Sequence, residues 1–228
     1  MGKIIVIDGL DCSGKHTQSE ILLETLTNEG YKCKLVAFPK YESITGNIVT
    51  EYLSGKFNLD DSFDSKMRTS MLYSYDRMYN MYFNLDENNK SLIDYYNEDY
   101  IIICDRYVSS NYLFMTHMMG DFDFTKYIWR MEKLEYDCMG LPKPDMTIFL
   151  EIPPTKSLEL VEKRGNKKDI HETEEVLNKA YYSMQRYKQY CCDKDYKDKV
   201  QFINCMKNEI EMYSIEDISE MIKNTLQI

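Results

Sequence analysis

A chain of 228 residues, 43% hydrophobic and 29% charged, has the length and composition of a globular protein with a large core, which excludes a disordered or fibrous chain. The formal charge of -10 predicts no nucleic-acid partner, since a phosphate backbone calls for clustered Lys and Arg. Seven cysteines without CxxC or Cys/His ligand spacing, no apolar run near the ~20 residues of a membrane span and no signal-peptide pattern predict a cytoplasmic protein with reduced thiols, no zinc site and no membrane attachment.

Lys3 to Asp8 is an apolar, β-branched run that predicts a buried strand, and Gln18 to Asn28 has helical spacing. Between them lies Gly9-Leu10-Asp11-Cys12-Ser13-Gly14-Lys15-His16-Thr17. Glycines at both ends of a four-residue spacer let the backbone fold into a nest of N–H donors, the helix N-terminus adds partial positive charge, and the lysine reaches outer phosphates. This stretch therefore predicts a polyphosphate site. The full pattern places Ser or Thr after the lysine, where a hydroxyl holds Mg²⁺; this chain has His16.

Gly30 closes the first helix, and Cys33 to Phe38 predicts a second strand ending at Pro39. After a loop over Lys40 to Ser43, helical spacing covers Gly46 to Leu53, Ser65 to Phe83 and Lys90 to Tyr96. Tyr100 to Cys104 is a third strand, and Asp105-Arg106-Tyr107 stands at its C-terminal end. Ligands of open parallel sheets bind there, so Arg106 is expected on the same rim as the glycine loop. Phe124 to Met139 is predicted as one helix, Met146 to Ile152 as a strand, Thr155 to Lys163 and Glu174 to Cys191 as helices, Lys199 to Asn204 as a strand and Ile215 to Leu226 as a closing helix. Five strands separated by helices predict an α/β fold, a parallel sheet with helices on both faces, in one domain over residues 1–228.

Phosphoryl transfer runs on positioning and charge neutralisation, so cations near the loop are the candidates for chemistry. Lys15, Arg77, Arg106 and Arg164 with Lys167 and Lys168 are those cations.

The chain resembles the thymidylate kinases, within the nucleoside monophosphate kinases of the P-loop NTPase group. The resemblance rests on the Gly9 loop, Phe38-Pro39, Leu72 to Arg77, Asp105-Arg106-Tyr107 with Ser110, Leu141-Pro142-Lys143-Pro144-Asp145, Phe149 to Pro154 and the Arg164 segment. It implies transfer of the γ-phosphoryl of ATP to deoxythymidine monophosphate with Mg²⁺, on a five-stranded core with a mobile lid over about 164–172, in a homodimer. It also implies roles. Gly9, Gly14, Lys15 and Thr17, with the intervening Cys12, Ser13 and His16, would hold the ATP phosphates. Asp11 would accept from the sugar 3′-hydroxyl, Arg106 would grip the acceptor phosphate, and Asp105 would lie near the metal. Tyr73 would stack on the base, Arg77 would meet the base edge or phosphate, Phe114 would close the sugar side, and Phe38, Tyr41 and Ser110 would line the same site. The adenine would sit near Asn204 to Lys207.

Departures from the family pattern are His16 at the metal position, Cys12 where some members carry a catalytic arginine, Tyr41 where an acceptor-phosphate arginine is expected, Met115 where bacterial relatives place a glutamine, and His171 in place of a lid tyrosine. Transition-state charge is then expected from Arg164, aided by Lys167 or Lys168, on a segment expected to stand open without nucleotide. The alternatives are a kinase for another nucleoside monophosphate or a deoxynucleoside, and an inactive ATP-binding relative.

Overall fold

The apolar runs find their hydrogen-bond partners in one another. In a computed structural model, which describes residues 2–57, 60–165, 170–194, 196 and 199–226, they form β1 (Lys3–Gly9), β2 (Cys33–Ala37), β3 (Ile101–Asp105), β4 (Met146–Glu151) and β5 (Val200–Asn204). All pair in parallel as one five-stranded sheet in the order β2-β3-β1-β4-β5. The register sets Ile5 of β1 between Ile103 of β3 and Met146 of β4, so the strand carrying the glycine loop is central.

Alternation along β1 shows why its sequence is apolar from Ile4 to Ile7. Ile4 and Val6 enter a core with Phe149, Leu113, Tyr127 and Met184, while Ile5 and Ile7 enter the opposite core with Leu22, Leu26, Ile148 and Ile218. A strand buried on both faces favours apolar residues on both, and takes a polar one only where its hydrogen bonds are met. The helices are α1 (Lys15–Asn28), α2 (Ile44–Leu53), α3 (Phe63–Tyr82), α4 (Leu92–Asn97), α5 (Ser109–Met115), α6 (Asp121–Glu132), α7 (Pro154–Arg164), α8 (Glu174–Asp193) and α9 (Ile215–Thr225).

The structure departs from the sequence reading in a few places. α1 begins at Lys15 rather than Gln18, because Gly14 caps it at φ 91° and its first turn carries phosphate-loop side chains instead of an apolar stripe. α5 went unpredicted: its seven residues are too few for periodicity to declare. The helix expected over Phe124 to Met139 changes at Lys133, where Lys133–Cys138 opens into a π-helix. The wider turn carries Glu135 into full burial.

Candidate active site

At the end of β1 the chain turns in a space only glycine fits. A Cβ on Gly9, whose φ is 144°, would meet the Leu150 carbonyl oxygen at 2.6 Å. Cys12 also lies in the left-handed region at φ 56°, so the loop holds a non-glycine residue in a strained backbone conformation. Lys15 is buried and folds over the loop to donate from Nζ to the Leu10 carbonyl at 2.6 Å. Ser13 Oγ is buried with no protein partner, leaving a hydroxyl unspent inside the loop. His16 and Thr17 sit exposed on the first turn of α1.

Asp8, read in the sequence only as the last residue of a strand, ties this loop to the next element. It is fully buried and accepts from Gly9 N (2.8 Å), Ser109 Oγ (2.6 Å) and Ser110 Oγ (2.8 Å). Arg106 completes the junction with a backbone φ of 68°. Its Nη2 pairs with Asp11 Oδ1, its Nη1 donates to the Gly9 carbonyl at 3.3 Å, and its guanidinium lies 5.2 Å from the Phe114 ring centroid. The strand-end arginine thus reaches the glycine loop, as the sheet topology demanded.

The charges shift one another. Burial pushes the Asp11 carboxyl upward, but Arg106 and Lys15 together outweigh burial and hold it below the usual carboxylate range. Burial and the neighbouring Arg106 bring Lys15 down to about 8.

Beside the loop lies a cavity of about 520 Å³, and the eight residues singled out for substrate, Asp11, Phe38, Tyr41, Tyr73, Arg77, Arg106, Ser110 and Phe114, all line it. They come from β1's loop, the β2 end, α3, the β3 end and α5. Leu53, Asn111, Met115 and His171 line it too. Tyr41 is placed by buried Asp76, which accepts from Lys40 N (3.0 Å) and Thr45 Oγ1 (2.8 Å) at the two ends of the loop. Arg77 is buried against Glu135, a carboxylate the sequence reading missed. The signal was present: Glu135 continues the apolar stripe of Phe124, Ile128 and Met131 at helical spacing, and an acid on a core stripe calls for a buried cation.

Asp105 stands at the rim with its Oδ2 3.5 Å from His16 Nδ1. Among the described residues no cluster of three or more His, Cys, Asp or Glu side chains could hold a metal. A single carboxylate at the loop rim nevertheless fits Mg²⁺, which keeps several waters and binds through one or two carboxylates plus substrate phosphates.

The charged segment after α7 runs back to the site. Arg164 pairs with Glu172 Oε1 at 2.6 Å, and its charge is felt at both Cys12 and Asp11. Lys167 and Lys168 lie outside the described residues. At the described end of the segment expected to stand open, Ile170 N donates to the Leu53 carbonyl at 3.4 Å, and the His171 ring packs 5.3 Å from Phe114 and 5.6 Å from Tyr52. Aromatic packing supplies the anchor that Ile170 alone could not. A separate open cleft of about 910 Å³, lined by Gln185, Lys188, Asn204 and Lys207 among others, lies where the adenine was expected.

Burial lowers His171 to about 4 from its ordinary 6.5. A histidine with a depressed folded pKa loses stability as pH falls, because the unfolded chain takes up a proton near 6.5 that the folded chain refuses until about 4. Thermal melts between pH 7 and 4 are expected to show Tm of the parent falling more steeply than Tm of His171→Tyr, by up to about 3 kcal/mol of stability. Parallel profiles would place the ring in solvent.

Comparison with known proteins agrees with this geometry. A family model described as thymidylate kinase matches residues 7–210. A thymidylate kinase of Plasmodium falciparum is 32% identical over 179 residues, 75% of each chain. A probable thymidylate kinase of Methanococcus aeolicus is 31% identical over 180 residues, 79% of this chain and 76% of that one. The solved structure of a Candida albicans thymidylate kinase superposes with a TM-score of 0.70 at 22% identity, covering 99% of this chain and 91% of that one, which speaks for the fold. With a glycine loop, a strand-end arginine and an aromatic-lined cavity in register, and with relatives of this identity over most of its length, the chain belongs to the thymidylate kinase family.

Proposed function

We propose that this protein transfers the γ-phosphoryl group of ATP to deoxythymidine monophosphate, giving ADP and the diphosphate. The observation that carries this reading is the single cavity that joins an aromatic nucleoside slot to a phosphate-binding loop through Arg106. The base stacks on Tyr73 with Arg77 at its edge, Phe114 closes the sugar side, and Phe38, Tyr41 and Ser110 complete the wall. Asp11, its Oδ1 held by Arg106, takes the sugar hydroxyl through its other oxygen. Arg106 grips the acceptor phosphate. Backbone N–H groups between Gly9 and Thr17, with Lys15, Ser13 and the N-terminus of α1, hold the ATP phosphates. The adenine occupies the cleft at Asn204 and Lys207.

An acceptor phosphate oxygen then forms a bond to the γ-phosphorus as the bond from that phosphorus to ADP breaks. Lys15, Arg106 and Arg164 neutralise the charge spread over the transferring group. Mg²⁺ near Asp105 would supply further neutralisation of the phosphate oxygens. Small molecules are thus the partners, with no nucleic acid, and seven free thiols suit a reducing cytoplasm. Among the described residues no helix is long and apolar enough to cross a membrane.

A coupled ADP-release assay with ATP and Mg²⁺ across a panel of nucleoside monophosphates tests the reading. Strong turnover with deoxythymidine monophosphate supports it; turnover confined to another monophosphate moves the substrate, and silence with retained ATP binding leaves a binding protein.

Two copies are proposed to join through α2 and α3, which pack together and expose Ile44, Ile48, Met71 and Tyr75 at i, i+4 spacing. Sedimentation at micromolar concentration is expected to give a dimer for the parent and a monomer for Ile48→Glu. A monomeric parent would end the dimer proposal.

A further inference from the structure

Glu135 sits fully buried behind the cavity, and its oxygens are spent on one cation and two neutral donors. Arg77 donates from Nε to Oε2 at 2.6 Å and from Nη2 to Oε1 at 2.5 Å, Ser74 Oγ donates to Oε1 at 2.8 Å, and Asn111 Nδ2 approaches the same oxygen at 3.4 Å. A carboxylate paired with a guanidinium offers only acceptors, so the Asn111 amide must turn its NH₂ toward it; the reverse orientation would set oxygen against oxygen. Oδ1 is then the Asn111 amide atom left for the cavity that Asn111 and Arg77 both line. Arg77 is constrained in the same way. Its side-on fork, Nε with Nη2, is consumed, and Nη1 is the nitrogen left over.

The inner wall therefore offers one donor, Arg77 Nη1, and one acceptor, Asn111 Oδ1. A 4-keto pyrimidine presents the complement, a carbonyl oxygen that accepts beside an N3–H that donates. A 4-amino pyrimidine presents the reverse, an amino group that donates beside a bare N3 that accepts. We infer that Glu135 is a positioning residue that sets the hydrogen-bonding polarity of this wall, and so selects a 4-keto over a 4-amino pyrimidine monophosphate. The inference rests on the monophosphate-kinase reading for its substrate class. It also gives the π-helix at Lys133–Cys138 a purpose, since that turn delivers the carboxylate between α3 and α5.

The test compares thymidine and deoxycytidine monophosphates in two assays, steady-state turnover and calorimetric titration without ATP. In Glu135→Gln the amide brings a donor against Arg77 or Asn111, and the preference for the keto base is expected to fall about tenfold or more. The KM for deoxythymidine monophosphate should rise and the KM for ATP should stay put, a split that general loosening of the fold would not produce. Ser74→Ala removes one support of Glu135 without touching the cavity wall, and should weaken the same preference several-fold. If Glu135→Gln does not fold, Ser74→Ala decides. A folded Glu135→Gln, or failing that Ser74→Ala, with the parent's preference unchanged overturns the inference, as does a parent that binds both bases equally. A parent that prefers the keto base in calorimetry yet never phosphorylates it would sink the kinase reading alone and leave the role of Glu135 standing.

Discussion

Lys15→Ala is expected to abolish phosphoryl transfer while leaving the protein as stable as before. Lys15 is the only lysine in the glycine loop, and a loop donor aimed at the transferring phosphates contributes on the order of 10²- to 10³-fold or more to rate. The stability half follows from the sign of its pKa shift. The folded pKa of about 8 lies below the ordinary 10.5, so the fold disfavours the charged amine. That penalty is fully present below pH 8 and is relieved as pH rises from about 8 toward 10.5, the reverse of a lysine that gains a partner. Deleting the amine at pH 7 removes the penalty together with one hydrogen bond to Leu10, so calorimetry should find a Tm no lower than the parent's. Turnover within tenfold of the parent would remove Lys15 from the chemistry. The same shift predicts that ATP affinity of the parent weakens as pH rises through about 8, where the free loop loses its proton.

Arg164→Ala is expected to cost about 10³- to 10⁵-fold in kcat, the range for an arginine that stabilises transferring phosphoryl charge. Its side chain is 39% exposed but that of Glu172 is 5% exposed, so the substitution also takes a partner from a buried carboxylate, and a fall in Tm is expected beside the loss of kcat. Cys12 supplies a second arm. It occupies a loop position that feels the charge of Arg164, and its thiol is pushed up by burial, which leaves it neutral. Its backbone already lies at φ 56°, so an arginine there adds no new strain. Cys12→Arg in the Arg164→Ala background should recover at least about tenfold in kcat by restoring a guanidinium beside the phosphates. Near-parental turnover in Arg164→Ala would show that Arg164 only positions Glu172.

Much of the framework was legible because it depends on local pattern. β1 is apolar from Ile4 to Ile7 because both its faces are covered there, and Gly9 must be glycine because Leu150 leaves no room for a Cβ. Arg106 could be placed near the loop because strand ends share a rim. Other features needed contacts that no window contains. α5 is seven residues long, and it packs on α8, far off in the chain. Asp8 looks like any strand terminus until Ser109 and Ser110 arrive across the sheet. The docking of His171 depends on rings from α2 and α5 that meet only in the folded chain.

The sequence by itself determined the parallel α/β order and the phosphate loop, which are written in periodicity, glycine spacing and strand-end position, while the side chains expected around the cavity beside the loop were implied by the family resemblance. Tertiary structure alone decided which of those side chains are held, and by what. Arg77 is present in the sequence as a charge on a helix, but the buried carboxylate of Glu135, brought by a π-turn 58 residues away, determines which of its nitrogens are engaged. The physical reason is that a buried charge must be paired, and the partner that pairs it is chosen by packing in three dimensions, which sequence spacing does not encode.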